Sequence, residues 1–156
     1  MPSKEVMQIQ FRLSWLKSGA HVRKAFKSEN AYSLFNEYVG RISKFTPCKI
    51  GGAVSKNEVG KLGIEIWVCD KGGTSVSSEI LAKSLQKVMD QGVRELQIVI
   101  GGPDGFTKRE VEELKPNLKW SFGPLTLPHE LAAVIASEQI YRAWTILKRT
   151  PYHLGH

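Results

Sequence analysis

Cysteine is scarce in this chain: Cys48 and Cys69 are the only two among 156 residues. Two thiols cannot build a disulfide framework and match no metal-ligand spacing, so both are expected as reduced core thiols of a cytosolic protein. Long hydrophobic runs are missing too. The longest, residues 131–136, is far too short to cross a bilayer, and residues 1–6 lack the apolar stretch of a secretory signal. The histidines, His21, His129, His153 and His156, have no ligand spacing, which argues against a metal site. The chain also lacks a Walker loop, a G-x-G-x-x-G, a G-x-S-x-G and an H-E-x-x-H. Repeats, low-complexity tracts and internal linkers are absent, so residues 1–156 are expected to form one domain, with a short tail over 150–156.

Acidic residues are thin at the start of the chain. Residues 1–61 hold 11 Lys and Arg against 4 Asp and Glu, whereas residues 62–156 hold 11 against 11. The whole net charge of +7 therefore lies in the first two-fifths. Localised positive charge is what a phosphate backbone requires, because neutralising phosphates releases condensed counterions. Charge alone leaves a merely solvated basic surface equally open.

Residues 7–15 alternate strictly, with Met7, Ile9, Phe11, Leu13 and Trp15 on one side, as in a half-buried strand. Leu34, Phe35, Tyr38, Val39 and Ile42 then fall on one helical stripe, which Pro47 closes. Residues 48–54 form a weak strand candidate. Residues 63–70 read as a strong strand, followed by a Lys71-Gly72-Gly73 loop. Ser77 or Ser78 can cap a helix carrying Ile80, Leu81, Leu85, Val88 and Met89 that stops at Gly92. Residues 96–100 make a short apolar strand of the buried kind, and Thr107 with Glu110 forms a capping box for a helix ending before Pro116. A last strand spans 118–122. A last helix spans about 129–148, with Glu138, Arg142, Thr145 and Arg149 as its polar stripe. Apolar residues cover so much of the remaining circumference that this helix is expected to bury a second face against a partner chain. Strands alternating with helices imply an α/β domain with a mainly parallel sheet and helices on both faces.

Two segments stand out as chemistry. Gly101 and Gly102 follow directly on the buried strand, at the carboxyl end where open α/β sheets bind ligands, although Gly-Pro-Asp-Gly also suits a plain turn. Residues 120–129 form an apolar, proline-bounded loop where polar residues are usual. Such a loop is expected to be buried, and a flat apolar base such as adenine could partner its amides and carbonyls.

Three stretches together resemble a known family. They are Ile-Val-Ile-Gly-Gly-Pro-Asp-Gly at 98–105, Leu-Thr-Leu-Pro-His within 120–129, and Glu-Gln-Ile-Tyr-Arg-Ala-Trp at 138–144 with Pro-Tyr-His at 151–153. They resemble the RlmH family, the large-subunit ribosomal RNA pseudouridine N3-methyltransferases of the SPOUT class. The resemblance is dense over 96–153 and weak before Gly63. It implies a trefoil knot at the C-terminal end of the α/β domain and a homodimer packed through the last helix. It also implies S-adenosylmethionine held by the loop after Val68-Cys69, by Gly101 and Gly102, and by Gly123, Pro124, Leu125, Thr126, Leu127 and Pro128. The methyl acceptor would be N3 of a pseudouridine on the assembled ribosome. Through the resemblance, the tail residues Tyr152 and His153, with Arg142, are expected to serve the partner's cofactor pocket. His153 is a candidate proton acceptor, while Arg142 is equally open to a plain ion pair with Glu138. His129 is expected to do no more than cap the helix.

The chain departs from the family in two places. Leu154-Gly155-His156 stands where relatives carry a basic residue, and residues 55–62 replace a longer helical segment. Two alternatives to the pseudouridine enzyme remain at this level: a methyltransferase with another RNA target, and a ribosome-binding protein that has lost catalysis. Retention of both the Gly101–Gly105 turn and the apolar loop favours an active enzyme.

Overall fold

A computed structural model describes residues 6–153, so the tail departure at 154–156 lies outside the described residues. Five strands, β1 (Gln8–Leu13), β2 (Cys48–Gly51), β3 (Ile64–Ser75), β4 (Glu95–Ile100) and β5 (Leu118–Ser121), form one sheet in the order β2-β1-β4-β3-β5. Every neighbouring pair is parallel. The central strand β4 is sealed on both faces, which is why Leu96, Ile98, Val99 and Ile100 are all buried, with Gln97 the one buried polar residue among them.

Residue parity decides what each face meets. Ile9, Phe11 and Leu13, together with Leu96, Ile98 and Ile100 and with Trp67 and Trp120, point into the main core. Helices α1 (Glu29–Ile42), α2 (Ser78–Asp90) and α4 (His129–Leu147) cover that side. Ile66, Val68 and Val99 point the other way and meet Val111 of the short helix α3 (Lys108–Glu113). Helices thus lie on both faces, as the alternation of elements requires.

Most helix boundaries follow local chemistry. Ser28, Ser77 and Thr107 each accept a backbone N–H from the first turn of α1, α2 and α3, and the Thr107–Glu110 capping box is complete. Gly92, at φ +76°, stops α2. The apolar stripes are narrower than their sequences suggest. Leu34 on α1 and Ile80 on α2 face outward, leaving Phe35, Val39 and Ile42, and Leu81, Ala82, Leu85 and Val88, as the buried faces.

Four expectations need correction. First, β1 is not half-buried: Arg12, on its supposedly wet side, is buried. Its guanidinium donates to the carbonyls of Gly52 (2.8 Å) and Ala53 (2.7 Å) and to Glu58 (2.9 Å). The connection after β2, with a 3-10 turn at Lys56–Glu58, is thereby folded over the strand.

Second, residues 71–73 are not a loop after β3. The strand continues to Ser75, and both Cys69 and Thr74 pair with Trp120, so residues 70–73 bulge out of the ladder. A Cβ at position 73 would collide with the Lys119 carbonyl, so the bulge needs glycine there.

Third, Thr145 does not belong to the polar stripe of α4. It is fully buried, and its hydroxyl donates to the Arg142 carbonyl at 2.6 Å. Fourth, the wide apolar girth of α4 has a cause inside the chain. The helix lies against both α1 and α2 and needs no second chain to cover those sides. On its remaining side Leu131 stays 43% exposed.

Candidate functional site

The carboxyl ends of the central strands open onto a cavity of about 290 Å³. Three loops wall it. From β3 come Cys69, Asp70 and Lys71; from β4, Ile100 and residues 101–106; from β5, Trp120, Phe122, Gly123, Leu125, Thr126 and Leu127, with His129 and Ala132 closing it from the start of α4. This is the position at which open parallel sheets take ligands.

The residues shape these walls for physical reasons. The turn after β4 is closed by the Gly105 amide donating to the Gly102 carbonyl at 2.8 Å, with Gly105 at φ +68°. It is so tight that a Cβ on Gly101 would sit 3.1 Å from the Gly105 backbone. The bulge in β3 turns Lys71 toward the opposite wall, where its ammonium donates to the Thr126 hydroxyl at 2.7 Å. Ser121 secures both sides: its hydroxyl donates to the Lys71 carbonyl and accepts the Gly123 amide.

Of the residues expected to hold the cofactor, Cys69, Gly101, Gly102, Gly123, Leu125, Thr126 and Leu127 line this one cavity. Pro124 and Pro128 do not; they brace the loop ends and are exposed. The loop itself is not buried as its composition suggests. Leu125 is 70% exposed, because within a single chain the loop is a lip with one side on the cavity and one side outward. Among the described residues, the amides of Leu125, Thr126 and Leu127 meet no protein acceptor. An apolar lip with free N–H donors beside a glycine turn fits a flat heteroaromatic ligand carrying acceptor atoms.

Sequence reasoning expected walls from the loop after Cys69 and from the 120–129 segment without naming Asp70, Lys71, Trp120, Phe122 or His129 individually, and it missed Phe106 and Ala132. The doubled glycine at 72–73 was the available signal for the β3 bulge. His129 is no cap: the residue at the helix start, Pro128, makes no side-chain cap bond. Instead the His129 ring meets Trp15 edge-on at 4.6 Å, and Trp15 lies beside Gly102. Cys69 forms part of the wall as a thiol whose pKa burial drives upward, so it is no nucleophile at neutral pH.

The second group of expected residues gathers elsewhere. Arg142, Tyr152 and His153 are brought together by the turn after α4, but none lines the cavity of its own chain. Arg142 donates to Glu138 at 2.7 Å, lies 4.8 Å over the Tyr152 ring, and places Nη1 3.0 Å from Nδ1 of His153. A guanidinium has no acceptor, so Nδ1 must offer its lone pair and Nε2 must carry the proton. Nε2 lies 2.7 Å from Glu79 at the start of α2, and that contact is the chief reason the Glu79 carboxyl is held below its ordinary range. Both ring nitrogens of His153 are thus committed. The Tyr152 hydroxyl is pushed up to about 12 by burial, with a contact to Tyr38 adding to it.

A parallel sheet with a glycine-turn cavity at its carboxyl edge defines a small-ligand-binding α/β domain. Comparison with known proteins narrows the class. The family model described as "Predicted SPOUT methyltransferase" matches residues 21–153, and the chain belongs to that methyltransferase family. Relatives named "Ribosomal RNA large subunit methyltransferase H" include one from Koribacter versatilis, 37% identical over 83% of this chain and 92% of its own length. Another, from Magnetococcus marinus, is 30% identical over 77% of this chain and 87% of its own. A Legionella pneumophila protein described as a "putative methyltransferase", solved with bound SAM, aligns at TM-score 0.44 and 11% identity over 90% of this chain and 67% of that one. That likeness is too loose to carry weight.

Proposed function

We propose that the protein methylates N3 of a pseudouridine in large-subunit ribosomal RNA, using S-adenosylmethionine, as a cytosolic homodimer. The observation that carries this reading is the cavity at the carboxyl edge, two of whose three walls are built from the stretches 98–105 and 120–129 that resemble the RlmH family. The relatives named for the large ribosomal subunit supply the substrate class. No helix among the described residues is long and apolar enough to cross a membrane.

S-adenosylmethionine supplies an electrophilic methyl group on a sulfonium. The chain has to hold it, exclude water and align the incoming base. The amides of Leu125, Thr126 and Leu127 would hydrogen-bond its base, and Gly101 and Gly102 would admit it close to the backbone. Trp120, Phe122 and Leu127 would exclude water from the same space. The base must lose its N3 proton. With both nitrogens of His153 engaged and Tyr152 raised, neither accepts that proton until the tail contacts change.

Self-association is supported by the separation of the two groups of residues. Arg142, Tyr152 and His153 serve no cavity of their own chain, and an apolar groove of about 460 Å³ lies between α1 and α4. Leu34, Leu131 and Val134 line it beside Pro128 and His129 at the cavity rim. A second copy packed on its Leu34 and Leu131 side, leaving the Lys27 edge open, would complete the rim with its own tail. The trefoil threading belongs to the same reading: α4 follows the edge strand β5 yet lies between α1 and α2.

The test is transfer of labelled methyl from S-adenosylmethionine to ribosomes with and without their pseudouridines. Labelling that requires pseudouridine is the expected result. Cofactor binding without labelling would move the target to another RNA position, and absence of cofactor binding would leave a non-catalytic RNA-binding protein.

A further inference from the structure

The densest block of unbalanced charge in the chain is structurally tied to the cavity. Residues 6–28 contain Arg12, Lys17, Arg23, Lys24 and Lys27 and no carboxylate. Two of these cations are paired within the chain: Arg12 with Glu58 in a largely buried contact, and Arg23 with Glu29 at 3.1 Å on the surface. Lys17, Lys24 and Lys27 are exposed and have no carboxylate partner among the described residues.

The segment bearing them is fixed. Trp15 donates its indole N–H to the Ala25 carbonyl at 2.6 Å, drawing the segment into a closed strap. Trp15 also packs edge-on against His129 and lies beside Gly102, both of them cavity residues. At the far end, Glu130 accepts the amides of Lys27 (3.1 Å) and Ser28 (3.0 Å). Glu130 directly follows His129 in α4, so the strap is stapled at two points to the cavity rim. The Glu130 carboxylate is thus engaged by the strap's own backbone amides. A rigid, uncompensated set of three ammonium groups beside a ligand cavity is a site for a polyanion, and the lysines, as flexible point charges, suit phosphates without base preference.

We propose that the strap of residues 15–28 is a phosphate-binding rim that grips the RNA backbone through Lys17, Lys24 and Lys27 while the target base enters the cavity. The identity of the RNA rests on the methyltransferase reading above; the binding of a nucleic-acid backbone does not.

The experiment pairs two charge-matched variants of the full-length protein, Lys17→Gln/Lys24→Gln/Lys27→Gln and Lys49→Gln/Lys56→Gln/Lys61→Gln. The second set is also exposed and lies in the basic first part of the chain, but on β2 and the connection after it. For the strap variant, calorimetric affinity for S-adenosylmethionine and sedimentation behaviour should match the unmodified protein. The KM for ribosomes should rise at least ~10-fold, with kcat little changed. In filter binding to a large-subunit RNA hairpin, the slope of log K against log salt should become shallower by about 2 to 3, because each lost phosphate contact removes roughly 0.7 to 0.9. The control set should keep the original slope. An unchanged slope in the strap variant, equal losses in both sets, or a loss confined to self-association would each overturn the proposal. So would hairpin binding too weak to measure in the unmodified protein. If the unmodified protein binds the hairpin with a slope that only the strap variant loses, yet labels no ribosome, the strap stands and the methyltransferase reading falls.

Discussion

Truncating Glu58 should cost the fold about 3 kcal/mol. Its carboxylate accepts from Arg12 at 2.9 Å, from the Ser55 amide at 3.1 Å and hydroxyl at 2.7 Å, and from the Gln97 side-chain amide at 2.7 Å. The Arg12 and Glu58 side chains are 11% and 23% exposed. In Glu58→Ala, Arg12 keeps its two carbonyl partners but loses its countercharge. Gln97, fully buried and with its Oε1 already unpaired, would then have no partner at either end. Breaking a buried pair from one side costs ~3–5 kcal/mol; the two surviving carbonyl bonds place this case at the lower limit. For a chain of this length that is a fall in melting temperature of roughly 6–12 °C. The sign with pH is fixed too. Burial would raise the Glu58 pKa, but the hydrogen bonds from Ser55 and Gln97 and the Arg12 charge outweigh it, and the net shift is downward. The stabilisation is therefore present above the unfolded carboxylate value, about 4.3, and is lost as pH falls through the lowered folded value. Calorimetric melting from pH 7 to 3 should show this acid limb in the parent and a flatter curve in Glu58→Ala. The double variant Arg12→Met/Glu58→Leu should be more stable than the single truncation, because it leaves no unpaired charge. A loss under ~1 kcal/mol for Glu58→Ala, or strictly additive losses in the double variant, would refute the account.

Other perturbations separate the cavity from the frame. Gly73→Ala puts a methyl group against the Lys119 carbonyl and should cost about 1–3 kcal/mol and weaken S-adenosylmethionine binding by displacing Lys71, whereas Gly72→Ala, with nothing nearer than Asp70 at 3.7 Å, should do neither; melting curves and calorimetry decide. Gly102→Ala fits, since its Cβ would lie 3.4 Å from that of Trp15, but the γ-methyls of Gly102→Val must enter either the cavity or the Trp15 contact. Calorimetry should show at least ~10-fold weaker cofactor binding for the valine variant only. Cys48, pushed up to about 12 by burial, and Cys69, also raised, should react with a disulfide reagent at pH 8 far more slowly in the folded than in the urea-unfolded protein. Rapid reaction of both thiols in the native state would contradict their burial.

Periodicity carried the fold. Strict alternation located β1, a short apolar run located β4, a helical stripe located α1, and serine or threonine caps located α2 and α3. The failures share one cause: tertiary partners are invisible to a local pattern. Arg12 looks like a solvent-facing residue of an alternating strand until Glu58, 46 positions away, covers it. Thr145 looks polar until it bonds within its own helix, and the girth of α4 looks like an oligomer surface until α1 and α2 flank it. At the cavity, glycine placement and the apolar loop exposed two of three walls. The third, Asp70 and Lys71, depends on a bulge created by pairing with β5 and by the lack of space at Gly73. Glu79 was equally hidden, because a carboxylate in the first turn of a helix normally answers to the helix end and here also meets His153.

The tail offers the sharpest division between holding and catalysing. Were His153 a proton acceptor in its present setting, it would need a free lone pair, yet Nδ1 faces the Arg142 guanidinium and Nε2 faces Glu79. The arrangement instead makes His153 a pin that holds Tyr152 under Arg142 and sets where the tail leaves α4. Two variants distinguish the roles. Glu79→Gln keeps a side-chain oxygen able to accept from Nε2, so a pin survives it with near-parental turnover; Glu79→Ala removes that acceptor and lets the ring turn off Arg142, exposing the Nδ1 lone pair. If His153 only pins, His153→Ala and Glu79→Ala should lower methyl transfer together, by about the same factor, leave S-adenosylmethionine affinity intact, and leave the pH profile unshifted. If His153 acts as a base once released, Glu79→Ala should retain or raise turnover, with an ionisation near the ordinary histidine value of about 6.5 that His153→Ala removes. A pH–rate profile of the three variants on ribosomes reads the difference directly, and a histidine-dependent acid limb in Glu79→Ala would overturn the pin.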